Sequence, residues 1–420
     1  MLFYTLGFFG AGQRMVQNEP GALIGPIATI FGFIIDFVFN IIYNLTIYNS
    51  LGLSIILLTI IVRTLMLPLG IKSQKSMMAM QKLAPEMNKI KEKYSDKSKE
   101  SQQAMNAEIQ KLYADNKVNP LGGCLPMVIQ MPLFFGLSFI MHQSHLYVSR
   151  LGQLYSQISN FMINLVPGYA NYLGIVVGRQ VEGYTDGLDI VAGVAGRNII
   201  PNNMTLDVSN TQDLNRLLNA FTAEDWNVFF GNMPEVYKHI PAEHLQTLLA
   251  KAPVELINVP VAEGSISAER LRSLQQLGEY VQNLLVQHPI PQEYLMLPTL
   301  ADMHQQKMAI ETFFGMVLTE ATGIGWPGIM IPFLAVTTAL LTSWVSMKAS
   351  AGGDEKAKQQ QRMMMVIMPV MMGAMTIGLP AGVGIFWITS SVYQIGQQLV
   401  INRINGIPLF SNVQSWRRWG

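Results

Sequence analysis

Residues 51–70 read LGLSIILLTIIVRTLMLPLG, and the fold turns on how this stretch is understood. It has the length of a bilayer-crossing helix, about 20 apolar residues, yet Arg63 sits inside it. A charge within a span costs roughly 2.5–3.5 kcal/mol on an insertion scale. Arg63 stands about seven residues, hence about 10 Å of helix rise, from the end of the stretch, which is far for its side chain to snorkel. The other candidate spans hold no Asp, Glu or Lys to neutralise it. The expectation is that Arg63 faces water or polar side chains inside the membrane. The plainer alternative is an arginine that snorkels to lipid phosphate or bonds backbone carbonyls.

The rest of the chain fits a membrane setting. Of 420 residues, 50 % are hydrophobic and only 13 % are charged, against about 25 % charged in a soluble protein. A single cysteine, Cys124, excludes an intrachain disulfide framework. Residues 1–21 are apolar at their start but lack the basic flank of a signal peptide. In residues 22–48, Asp36, Asn40 and Asn44 recur every fourth position on an otherwise apolar helix. Such a helix suits the interface plane, and a sixth span competes with that assignment.

Residues 71–118 carry ten lysines against six acidic residues, with apolar residues at helical spacing on either side of the polar stretch YSDKSKES. They predict a hairpin of two helices, with Pro85 suited to a first turn. Residues 119–148 hold the second span, interrupted by Pro126 and Pro132 and polar at Gln130. Residues 149–325 are of another kind. From 150 to 325, nine Arg and Lys face seventeen Asp and Glu. Their first part, to about 210, predicts short strands or loops and the remainder predicts helices. Thr222-Ala-Glu-Asp resembles a capping box, Pro241 suits a first turn, and residues 267–288 have an apolar face. Three spans close the chain at 326–347, 363–380 and 381–402, with a link at 348–362 and a tail at 403–420 that carries Arg403, Arg417 and Arg418.

Positive charge orients a membrane protein towards the cytoplasm. With five spans, the basic segments 71–118, 348–362 and 403–420 share one side and the acidic domain lies on the other. The fold class is therefore an all-α polytopic membrane protein. It has five transmembrane helices, an interfacial N-terminal amphipathic helix, a cytoplasmic helical hairpin and a mainly α extracytoplasmic domain in which α+β is admissible.

Intramembrane polar residues are the candidate site: Arg63 and Thr64 on the first span, Gln130 on the second, and Ser390, Ser391, Gln394 and Gln398 on the last. Ser391, Gln394 and Gln398 share a helix face. Helix-to-helix glue is the plain alternative for each. His142 and His145 have a spacing that permits a metal site but lack acidic or thiol neighbours. Asn44 and Asn203 begin Asn-x-Thr sequences, a weak signal. No HExxH, GxSxG, phosphate-binding loop or paired intramembrane carboxylate is present. No enzyme, catalytic residue, cofactor or metal is expected, and no nucleic-acid specificity.

Several stretches in fixed order carry a resemblance: GLSIILLTIIVRTLMLPL, KSQKSMMAMQKLAPEMNKIKEKY, NPLGGCLPMVIQMPLFFGL, WPGIMIPFLA, and MMMVIMPVMMG followed by LPAGVGIFWITSS. The chain resembles the YidC/Oxa/Alb family of membrane protein insertases, in its five-span form, over most of residues 27–148 and 313–402. The resemblance implies a hydrophilic groove open to cytoplasm and lipid, with Arg63 as its arginine. Gln130, Trp387 and the polar face of the last span fall among groove-lining positions. It implies nascent membrane proteins as substrates, the lipid bilayer as setting, and the Sec translocon, signal recognition particle and ribosome as partners. Two departures stand out. About 168–310 reads as an insert, and the tail is too short and mildly basic to grip a ribosome. A solute channel or transporter, or a scaffold acting through the external domain, are the competing functions.

Overall fold

The structure is a computed structural model that describes residues 25–94, 98–116, 118, 125–177, 206–257, 268–347, 366–367, 369–371 and 373–404. The segment 1–21, the link 348–362, residues 363–365, 368 and 372 of the span expected at 363–380, the tail beyond Ile404, and Asn203 lie outside them. The described residues are mostly helical. In chain order they form α1 (Gly25–Leu45), α2 (Ser50–Leu65), α3 (Leu67–Lys82), α4 (Ala84–Lys93), α5 (Lys99–Asp115), α6 (Leu125–His142), α7 (Ser149–Leu165), α8 (Tyr169–Val177), α9 (Thr211–Asn219), α10 (Ala223–Asn232), α11 (Ala242–Leu249), α12 (Ala268–Gln287) and α13 (Leu300–Glu311). A hairpin of β1 (Thr312–Phe313) and β2 (Met316–Val317) follows, then α14 (Met330–Met347) and α15 (Ala381–Ile404). The chain divides into one unit of Met1–Ser54 with Gly136–Ala321 and another of Ile55–Phe135 with Thr322–Gly420.

In the first unit, α7 is the helix on which others pack. It buries Leu151, Leu154, Tyr155, Ile158, Phe161 and Met162, a spacing of three and four that marks one helix face. This corrects the expectation of strands or loops as far as Val177, since α7 and α8 are helical; residues 178–205 lie outside the described residues. The observed strands lie instead at 312–317, within the part expected to be helical. The Thr222 box is present: Thr222 and Asp225 bond each other's backbone N–H groups, and Glu320 Oε1 accepts the next N–H, from Ala223, at 2.8 Å. Two orphan donors and a third are thus satisfied at the start of α10. Trp226, Phe221 and Phe229 form edge-on aromatic contacts in the core.

Polar groups are also built into this core. Ser159 donates to Asn215 Oδ1 at 2.7 Å and Asn215 donates to Ser156 at 3.0 Å. Asn219 donates to the His142 carbonyl at 2.6 Å. Glu311 is fully buried and accepts from Tyr155 and Thr319, with Lys307 Nζ 3.2 Å away. Buried charge persists where it is paired and hydrogen-bonded in this way.

The polar stripe of α1 meets the start of α7. Asp36 Oδ1 accepts from both the backbone N–H and the hydroxyl of Ser149, at 2.7 and 2.8 Å. Arg150 donates to Asn40 and Asn44 at 2.9 and 3.1 Å and lies over the Tyr43 ring. The stripe therefore serves a helix N-terminus, where a carboxylate satisfies orphan N–H groups and the dipole. α1 is also the one unbroken helix among the described residues that is long and apolar enough to cross a membrane.

In the second unit the helix expected over 51–70 is not continuous. It breaks at Met66, and α2 and the first part of α3 are bent by 56°. Pro68 supplies the reason, because it lacks an N–H and its ring clashes with the carbonyl four residues back. The two helices expected in 71–118 become three, since α3 runs on to Lys82 and Pro85 opens α4 in its first turn. α4 and α5 are joined by Tyr113 on Met87 and by Lys93 with Glu108 at 3.0 Å. The hydrogen bond between the last two pushes the Lys93 ammonium pKa up and the Glu108 carboxyl pKa down. α14 and α15 pack closely: a Cβ at Gly384 would collide with Ile331, so glycine admits the approach, as small residues do in membrane helix pairs.

Candidate functional site

Arg63 lies in the last turn of α2, where unsatisfied carbonyls favour a cation. It is half-buried, and its Nη2 donates to Gln130 Oε1 on α6 at 2.7 Å. Gln130 Nε2 is buried with no hydrogen-bond partner among the described residues, so one amide edge holds the guanidinium while the other offers spare donors.

A second link lies one residue on. Thr64 Oγ1 and the Tyr393 hydroxyl are 3.1 Å apart, and Thr64 also bonds the Ile60 carbonyl at 2.8 Å. A third joins α3 to α15. Gln74 Nε2 donates to Gln398 Oε1, and Gln398 Nε2 donates to Asn402 Oδ1 at 2.8 Å. Gly70 makes room here, because a Cβ there would stand 3.0 Å from the Gln397 amide nitrogen.

The other candidates have different surroundings. Trp387 is half-buried with its ring 5.1 Å from that of Phe134. Ser390 and Ser391 are buried, and the Ser391 carbonyl accepts from Thr342 on α14 at 3.2 Å. Gln394, half-buried, lies one turn further along α15. The structure thus brings Arg63 to Gln130, Thr64 to Tyr393 and Gln398 to Gln74, while Ser391 faces α14.

Tyr393, Gln74 and Asn402 were missed from sequence. Asn402 lies four residues after Gln398 and Gln74 four after Gly70, so the helical repeat carried that signal. Tyr393 was masked by its aromatic body, although its hydroxyl tends to seek a polar partner.

Chemically the arrangement offers the Arg63 cation, amides and hydroxyls on α2, α3, α6 and α15. Such groups can donate and accept hydrogen bonds. Among the described residues no His, Cys, Asp and Glu cluster could hold a metal. His142 bonds the Ser138 carbonyl through Nδ1 at 2.7 Å, and His145 is buried beside the Tyr155 ring.

Comparison with known proteins adds an independent line. The family model described as 60Kd inner membrane protein matches residues 42–169 and 281–407. Both segments contain site residues, and the stretch between them is unmatched. The membrane protein insertase YidC of Citrifermentans bemidjiense is 45 % identical over 126 residues, which is 30 % of this chain and 22 % of that protein. MisCA of Bacillus subtilis, a membrane protein insertase, is 52 % identical over 88 residues, 21 % of this chain and 34 % of that one. YidC 1 of Lactococcus lactis is 54 % identical over 86 residues, 20 % of this chain and 32 % of its own length. The chain spans between 22 % and 34 % of the length of these relatives. With the family model matched over more than half of the chain, the chain belongs to the 60Kd inner membrane protein family, the YidC/Oxa group of bacterial membrane proteins.

Proposed function

We propose that this protein is a membrane protein insertase and chaperone that acts without a chemical reaction. The observation that carries this reading is the Arg63–Gln130 pair. The cation is held by a neutral amide, an arrangement suited to receiving an acidic segment. Thr64, Tyr393, Gln74, Gln398 and Asn402 extend the polar surface, and Gln394 and Trp387 belong to the same set. An arriving hydrophilic segment would find hydrogen-bonding groups part-way across hydrocarbon. Its apolar neighbour would leave sideways along the helix faces, and membrane potential would assist negative charge outward.

In this reading there are five spans, at 51–70, 119–148, 326–347, 363–380 and 381–402. The hairpin of α4 and α5 is cytoplasmic and residues 149–325 lie outside. The sidedness rests on the basic segments and the acidic domain. Substrates are nascent membrane proteins. The Sec translocon, signal recognition particle and ribosome are partners to test by cross-linking from the hairpin.

The deciding experiment places the purified chain alone in lipid vesicles with a small single-span test protein bearing an acidic tail. Protease protection of the tail is expected, with Arg63→Lys retaining more of it than Arg63→Ala. Equal protection by all three proteins would reject the role of the groove charge. Protection no better than in empty vesicles would reject autonomous insertion.

A further inference from the structure

The hairpin β1–β2 pairs Thr312 with Val317 and Phe313 with Met316. Its two turn residues, Phe314 and Gly315, both have positive φ, 48° and 77°, as the type I′ turn of a two-residue hairpin requires. Asn, Asp or Gly ordinarily takes the first of these positions, because a bulky side chain there is strained. Here a phenylalanine holds it with 80 % of its surface exposed. The ring meets that of Phe313 edge-on, with centroids 4.6 Å apart, yet strain and a mostly exposed aromatic ring at one tip are ill suited to water, and residues 312–319, TFFGMVLT, contain no charge.

The position of the hairpin says what meets that ring. Phe313 is buried with its ring over Gly52, where a Cβ would collide with it. The Asn49 N–H donates to the Ala309 carbonyl at 3.2 Å. The hairpin is therefore fixed beside the first turn of α2. Gln306, on the helix leading into the hairpin, donates to the Tyr43 hydroxyl of α1 at 2.6 Å. α1 exposes an apolar stripe at Ile30, Phe33, Phe37, Ile41 and Leu45, while its polar stripe is engaged by Ser149 and Arg150. The uncharged tip is thus attached to the start of one apolar helix and the end of another.

We propose that Phe314 is seated in the lipid interface at the level where α2 enters the membrane, so that the hairpin anchors the large acidic domain to the bilayer surface. This rests on the reading that α2 begins a membrane span. Lipid fits as the occupant because an exposed phenylalanine ring gains by burial at the headgroup–acyl boundary and the tether of Phe313 to Gly52 holds the tip at that depth.

Cys124 is the single cysteine, so a Cys124→Ser background accepts one spin label at a time. Labels would be placed at Phe314→Cys, at Leu57→Cys on α2, and at Glu279→Cys on the exposed side of α12. The full chain would be studied in vesicles of phosphatidylcholine and phosphatidylglycerol. Collisions with oxygen, which partitions into lipid, would be compared with those of a water-soluble nickel chelate. The expected result is oxygen-dominated relaxation at 314 and 57 and chelate-dominated relaxation at 279. Chelate dominance at 314 with oxygen dominance at 57 overturns the anchor and leaves the span intact. Chelate dominance at both removes the span and the anchor with it. Spin–spin broadening at 314 that fades on dilution with lipid would put a second copy on the tip and also overturns the proposal. Phe314→Gly suits the positive φ and preserves the turn. In that variant a label at Met316→Cys should shift towards the chelate, and an unmoved label counts against Phe314 as the anchor.

Discussion

Arg63 Nη2 and Gln130 Oε1 meet at 2.7 Å although 67 residues separate them in the chain. Replacing the amide by a carboxylate keeps the shape and cancels the charge. Gln130→Glu is therefore expected to reduce protease-protected insertion of acidic-tailed substrates by about ten- to a hundredfold, the equivalent of a charge-assisted hydrogen bond of roughly 1.5–3 kcal/mol. Substrates with uncharged tails should be affected less. An equal loss for both tails would mean that the pair only holds helices together.

Lys307 and Glu311 make the corresponding contact in the acidic domain, with side chains 1 % and 0 % exposed. Lys307→Met removes the cation beside the buried Glu311 carboxylate and is expected to destabilise the domain by about 3–5 kcal/mol. Thermal unfolding of the purified chain in detergent measures this. Adding Glu311→Gln should recover part of the loss, because both charges are then gone. A double variant as unstable as the single one would show that shape, not charge pairing, matters there.

His304 packs against Trp226 and Phe230. Burial, and then the nearby Lys307, lower its pKa to about 3, with Glu311 opposing. The unfolded chain binds its proton near the ordinary pH of about 6.5, so the unfolded state takes up the proton first as the medium is acidified. The contribution of His304 is complete above about pH 6.5 and is lost between there and about pH 3, at up to about 1.4 kcal/mol per pH unit. Unfolding midpoints of His304→Gln should fall less steeply with acidification than those of the unaltered chain. Parallel curves would place the acid sensitivity elsewhere.

Gly52 is needed by the ring of Phe313, which occupies the space of a side chain. Gly52→Ala is expected to cost about 1–3 kcal/mol by overpacking. Phe313→Leu in the same chain should restore part of it, and a double-variant cycle of unfolding midpoints reads the coupling. Strict additivity would mean that the two residues do not compete for that space.

Local rules account for what could be read in advance. The Thr222–Asp225 box depends on four consecutive residues, and the apolar face of α12, with Leu274, Leu277 and Val281 buried, depends on one helical repeat. Arg63 drew attention because a charge among apolar residues is conspicuous in one dimension. α7 was missed although its buried residues follow the same repeat, because its polar positions, Asn, Gln and Ser, resemble loop composition. The strands at 312–317 were missed because each is two residues long and carries no alternation to detect.

By itself the sequence determined the apolar stretches, the caps, the separation of basic and acidic segments and the family, since each lies in adjacent residues or in a short repeat. Only the tertiary structure decided the partners: Gln130 for Arg63, Tyr393 for Thr64, Gln74 for Gln398, Ser149 and Arg150 for the stripe on α1, and Gly52 for Phe313. A side chain's periodicity says which way it points from its own helix. What stands opposite depends on how distant segments close on one another, and many pairings of polar groups would satisfy the same local pattern until packing selects one.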